Sequence, residues 1–259
     1  MKNFKAIILG TAAISVSMLS SAETYLMDFN TFQSSGGYVG SNWNTYATPG
    51  DVTGAIQDNT GSILAGVSLE VTGDLGDTTH SGYFTNATGG AAWATTDGSL
   101  GNTQAVGDYF DSNSTGSPAI FTFGGLTAGD TVSLDIFASS TANSDSPRGY
   151  YSYSLDQGAT YFGFDVVEKD GTVFVAGGAG QNYFNAFSYG NTDARYMNIS
   201  SLTVGASGNV QVKVLQDPGF GRYAVVSAMQ LTVIPEPSTF ALLIAAGMGL
   251  LLTRRRLRR

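Results

Sequence analysis

Short stretches of strict two-residue alternation, each closed by a glycine-containing turn, constrain this chain most. Ala119–Phe123 reads AIFTF. Thr131–Phe137 sets Val132, Leu134 and Ile136 against Ser133 and Asp135. Asn209–Leu215 sets Val210, Val212 and Val214 against Gln211 and Lys213. A period of two is the strand repeat, because successive side chains leave a strand on opposite faces. Weaker strand patterns cover Tyr25–Asn30, Ser62–Thr72, Gly149–Asp156, Arg195–Val204 and Tyr223–Val233. Tyr161–Val167 and Thr172–Val175 flank the turn Glu168-Lys169-Asp170-Gly171, which predicts a hairpin. Gln33–Gly50 and Gly177–Asn191 read as loops, and Gly101–Ser117 as loop or short helix. Leu126 to Gly129 and Leu202 to Gly205 echo one another. In each, a leucine is expected to enter the core while a glycine turn launches the next strand. Many half-buried strands need two facing layers. The expectation is therefore an all-β, antiparallel, jelly-roll-like β-sandwich over residues 23–233.

The two ends carry other patterns. Lys2 and Lys5 precede a mostly apolar or small run, Ala6–Leu19, then Ser20-Ser21-Ala22. This is the layout of a signal peptide over residues 1–22, cleaved before Glu23 by signal peptidase. At the other end, Pro235-Glu236-Pro237 leads into an apolar helix expected over 238–253, followed by Arg254, Arg255, Arg256, Leu257, Arg258 and Arg259. Sixteen uncharged residues separate Pro237 from Arg254. As a helix they reach roughly 24 Å against a hydrocarbon core of roughly 30 Å, so the expected span is marginal. The arginines should hold their end in the cytoplasm. The expected route is export across the inner membrane, transient anchoring by the C-terminus, then residence at the cell surface or in the extracellular matrix.

Charge and cysteine content narrow the partners. From Glu23 to Pro237 there are five basic residues against twenty acidic ones, a net charge of −15, while the whole chain carries −8. An acidic, lysine-poor body does not suit nucleic acid. The chain has no cysteine, so an exported domain must be held by its core, without disulfides.

The tail closely resembles the PEP-CTERM sorting signal of Gram-negative bacteria. The likeness rests on Pro235-Glu236-Pro237, on the small residues Ala245, Ala246, Gly247 and Gly249 in the apolar run, and on the terminal arginines. It implies an exosortase-like processing enzyme as partner and Pro235, Glu236 and Pro237 as its recognition motif. It also implies a host that makes exopolysaccharide. The body resembles the galactose-binding-like and carbohydrate-binding-module jelly rolls, on Asn42-Trp43-Asn44 and on Phe121 to Asp130. That second likeness implies glycan contact, and related sandwiches often hold a structural calcium.

Catalytic motifs are sparse. His80 is the single histidine, so a multi-histidine zinc site is impossible and any Ser-His-Asp triad would have to use it. Glu70 faces away from Leu69 and Val71 on its strand, and Glu168 sits in a turn. No catalytic residue is assigned. Aromatic platforms with polar neighbours are the usual tools of sugar binding. The candidates are Trp43, Arg148, Tyr151, Tyr153 and Asp156, with Trp93, Tyr183, Phe184 and Tyr189 as further aromatics. Asp108, Asp111 and Asn113, and Asp165 with Asp170, offer hard oxygen ligands for calcium, without EF-hand spacing. The leading expectation is a non-enzymatic exported surface protein binding exopolysaccharide. The alternatives are a purely structural protein without specific ligand and a secreted polysaccharide-active enzyme.

Overall fold

The computed structural model describes residues 22–29, 42–46, 50, 53–75, 110–112, 116–138, 149–168, 173–177, 182–184, 195–217 and 224–236. Every regular element given bounds in them is a strand. In chain order, β1 is Glu23–Phe29, β2 Asn44–Tyr46, β3 Thr53–Gln57, β4 Ile63–Thr72 and β5 Phe110–Ser112. Then come β6 Ala119–Gly124, β7 Thr131–Phe137, β8 Gly149–Ser154, β9 Phe162–Gly163, β10 Asp165–Glu168 and β11 Val173–Val175. The last are β12 Asn182–Phe184, β13 Arg195–Thr203, β14 Val210–Gln216, β15 Ala224–Val226 and β16 Ala228–Ile234.

The first sheet runs β11-β10-β13-β7-β16-β1-β2, and the second β12-β8-β14-β6-β4-β3, with β9 also paired to β8. β15 and β5 form a two-stranded pair. Described pairings are antiparallel except β1 with β2. The core lies between the sheets: Tyr25, Met27, Leu134 and Met197 of the first meet Leu69, Phe121, Phe123 and Val212 of the second. Phe29 packs edge-on against Phe121, ring centroids 5.3 Å apart. The alternation in β6, β7 and β14 appears directly as buried and half-buried residues in turn.

The echoed connections meet each other. Leu126 N–H donates to Gly208 O, Gly129 N–H to Val204 O, and Val204 N–H to Asp130 O. Both segments therefore close the same end of the sandwich, and Leu126 is buried.

Several expectations change. Tyr161–Val167, read as one strand, breaks at Phe164: β9 pairs with β8 in the second sheet, and β10 with β13 and β11 in the first. Tyr223–Val233 likewise divides at Ser227 into β15 and β16. β2, β5 and β12 arise where loop, or loop and short helix, is expected, and β3 lies in a stretch for which the pattern assigns no element.

The flanking membrane helix is also corrected. No helix among the described residues is long and apolar enough to cross a membrane. The physical reason agrees with the sequence, since sixteen uncharged residues fall short of the hydrocarbon thickness. The transmembrane sorting helix, membrane anchoring, handling by signal peptidase and an exosortase-like enzyme, and the surface or matrix destination built on them are withdrawn. With them goes the function as an exported, sorted surface protein. Residues 1–21 and 237–259, including Pro237 and the arginines from Arg254 to Arg259, lie outside the described residues. What stands is an all-β, largely antiparallel arrangement of the jelly-roll-like kind. By internal contacts the chain divides into Glu23–Val233 and a second unit, Met1–Ala22 with Ile234–Arg259.

Candidate functional site

A groove lies at the crossing around Phe164. β9 lies beside β8, with Phe162 opposite Tyr153 and Gly163 opposite Ser152. The rings of Tyr153 and Phe162 lie 5.6 Å apart at 31°. Phe164, fully buried, meets Tyr153 edge-on at 5.4 Å and anchors the chain as it changes sheet. The next residue, Asp165, sits in register with Asn198 of β13, and Asn198 with Asp135 of β7. Directly opposed residues share a face, so two carboxylates flank one amide across three strands. The Asn198 amide donates to Asp135 Oδ1.

β13 also lines the groove. Its register against β7 slips between Ile199 and Leu202, a bulge occupied by Ser200 and Ser201. Bulges bend a strand and re-aim its side chains. Both serines line the groove, together with Tyr153, Phe162, Asp165 and Asn198, in a volume of about 310 Å³. Gly177 also lines it. Its N–H donates to Asp165 Oδ1 at 2.5 Å. A Cβ there would stand 2.4 Å from the Gly163 carbonyl oxygen, so only glycine lets the backbones come this close. Burial raises the Tyr153 hydroxyl pKa, and the nearby Asp165 charge raises it further. The phenol stays neutral beside the carboxylate.

The expected ligand residues do not converge. Of the four that fall among the described residues, Tyr153 alone borders this groove. Tyr151 is completely buried: its hydroxyl donates to Val225 O at 2.6 Å and accepts from Val225 N–H at 3.2 Å. Trp43 is buried, and its carbonyl accepts from the Gln57 amide. Asp156 holds the turn after β8: it accepts from the Ser154 hydroxyl at 2.7 Å and from Thr160 N–H at 2.8 Å. Those hydrogen bonds lower its pKa. Gln157, at φ 58°, and Gly158, at φ +87°, complete that turn. Beside it Lys213 lies over the Tyr161 ring, 4.0 Å from the centroid, and burial lowers the ammonium pKa. Arg148, His80, Trp93 and Tyr189 lie outside the described residues, and nothing is described of the side chains of Tyr183, Phe184 and Glu168. Glu70 is exposed on β4.

Among the described residues, no group of three or more His, Cys, Asp or Glu side chains could hold a metal ion. Asp165 is engaged with Gly177. Asp108, Asn113 and Asp170 are outside the described residues, as is the Asp111 side chain. Sequence reasoning missed Phe162, Asn198, Ser200 and Ser201 as site residues. One signal was available: two consecutive serines interrupt the alternation between Ile199 and Leu202, which is how a bulge reads.

No protein-family model matches the chain, and no curated protein matches it. Among solved structures, the enzymatically active domain of bacteriophage CBA120 tailspike protein 4 is 11% identical, with a TM-score of 0.27. That likeness covers 64% of this chain and 19% of the tailspike chain, so it spans about a fifth of that protein. At that TM-score it carries no argument about fold or activity.

Proposed function

We propose that this chain is a structural, non-enzymatic β-sandwich protein. One observation carries the reading: Tyr151, one of the expected ligand platforms, is sealed in the core and tied through its hydroxyl to the Val225 backbone. Other capable groups are engaged in the same way. Asp58 Oδ1 accepts from Thr60 N–H, the Thr60 hydroxyl and Ser62 N–H, which fixes the β3–β4 turn. Asn44 donates to Leu26 O and Gln57 O and accepts from Gln57 N–H, which ties β2 to both β1 and β3. Such contacts hold a fold together, and these groups are turned to the backbone rather than to a substrate. The two facing sheets are the architecture that the resemblance to galactose-binding-like jelly rolls implies, and they say nothing of a ligand. The Pro235-Glu236-Pro237 likeness to PEP-CTERM proteins concerns the tail and adds nothing to this role.

The test is turnover. Purified protein incubated with a panel of polysaccharides should release no new reducing ends. Release that disappears in Asp165→Asn or Glu70→Gln would overturn the structural reading in favour of a polysaccharide-active enzyme.

A further inference from the structure

The groove at the β9–β10 crossing has a chemistry that the structural role does not use. Two rings, Tyr153 and Phe162, lie side by side on one wall. A carboxylate, Asp165, faces the same space, held in place by the Gly177 N–H. Among the described residues, no lysine or arginine lines the groove. Hydroxyl and amide oxygens come from Ser200, Ser201 and Asn198. From Glu23 to Pro237 the net charge is −15, so the surrounding field attracts cations.

We propose that this groove binds a small organic cation of alkylammonium or guanidinium type. Aromatic faces carry negative π-density that attracts such cations, and a fixed carboxylate supplies the counter-charge. The rings offer apolar contact to the methylene or methyl groups, while the serines and Asn198 accept any N–H the cation presents. At about 310 Å³ the space suits a single head group, at the low end of small-molecule sites. A bare metal ion would gain nothing from the rings. A neutral hydroxyl-rich molecule can hydrogen-bond to the carboxylate but leaves its charge uncompensated, and that difference makes the assignment testable.

The experiment uses the full-length chain and choline as the probe, titrated by calorimetry and by NMR of the tyrosine ring resonances. The neutral carbon isostere 3,3-dimethylbutan-1-ol is titrated in parallel. Choline should bind saturably, at least fivefold more tightly than its isostere, and more weakly as salt rises. Asp165→Asn keeps an oxygen for Gly177 N–H while removing the charge, and Phe162→Ala removes one ring. Each should weaken choline at least fivefold while the melting profile shows a folded protein. Equal binding of choline and its isostere, binding of glucose in preference to choline, or no saturable binding at all would overturn the proposal. None of these outcomes depends on turnover, so the structural reading stands or falls separately.

Discussion

At the scale of single residues, the least comfortable group is Asp28. It lies on β1 opposite Ala228 of β16 and Thr45 of β2, almost wholly buried, and its Oδ1 has no hydrogen-bond partner. Burial alone raises its pKa from 3.8 to about 8. The folded state therefore prefers the neutral acid, and between those two values it binds a proton that the unfolded chain has released. Stability from this group is full below the unfolded pKa and declines as pH rises, until the loss is complete above about 8. A tenfold change in proton affinity corresponds to about 1.4 kcal/mol, so the whole effect is on the order of a few kcal/mol. Asp28→Asn should flatten the fall in melting temperature between pH 5 and pH 9 and exceed the natural protein at the alkaline end. An unchanged slope would show that the carboxyl is solvated. Tyr151 is the opposite case, a buried polar group that is fully partnered. Tyr151→Phe keeps the ring but orphans Val225 N–H and O, and chemical denaturation should show a loss of about 1–3 kcal/mol. A loss below about 0.5 kcal/mol would mean that water replaces the hydroxyl.

Between elements, backbones approach so closely that side chains are excluded. Gly125 leaves β6 at φ +73°, and a Cβ there would stand 1.6 Å from the Gly66 carbonyl oxygen. Gly66, within β4, is itself at φ +125°. Gly125→Ala meets both a conformational and a steric penalty and should cost more than about 2 kcal/mol, read from the urea midpoint. A near-neutral effect would show that the end of the β4–β6 pair can part without harm. Such contacts also explain what the sequence could reveal. β6, β7 and β14 were legible because one face of each meets the core and the other is only half buried, so the alternation survives. β16 and β1 lie inside the sheet with nearly every side chain buried, so the strand patterns read at Tyr223–Val233 and Tyr25–Asn30 are weaker, with Leu26 and Asp28 buried on the second face as well. Strands of three residues, such as Asn44–Tyr46, are too short for any period to show. The groove depends on a change of sheet at Phe164, and that change is set by which neighbours accept β9 and β10. A local pattern cannot carry that information, although the doubled serine at 200–201 marks one wall.

Over the whole molecule, charge and core act in opposition. The chain has no cysteine, so no disulfide restrains the unfolded state, and the sandwich rests on burial between its sheets. Against that stands a formal charge of −8, concentrated to −15 from Glu23 to Pro237, where only five basic residues occur. Like charges on a compact surface repel more strongly than on an extended chain, so folding raises the repulsion. Salt relieves it: the screening length falls from about 30 Å at 0.01 M to about 10 Å at 0.1 M, which is shorter than the dimensions of a domain this size. Sodium chloride added over that range at pH 7 should raise the melting temperature by several degrees, and most of the gain should come below 0.1 M. The shape of that curve identifies the cause, because general salting-out would act mainly at molar concentrations. A melting temperature that falls as salt is added would show that attractive ion pairs outweigh the net repulsion.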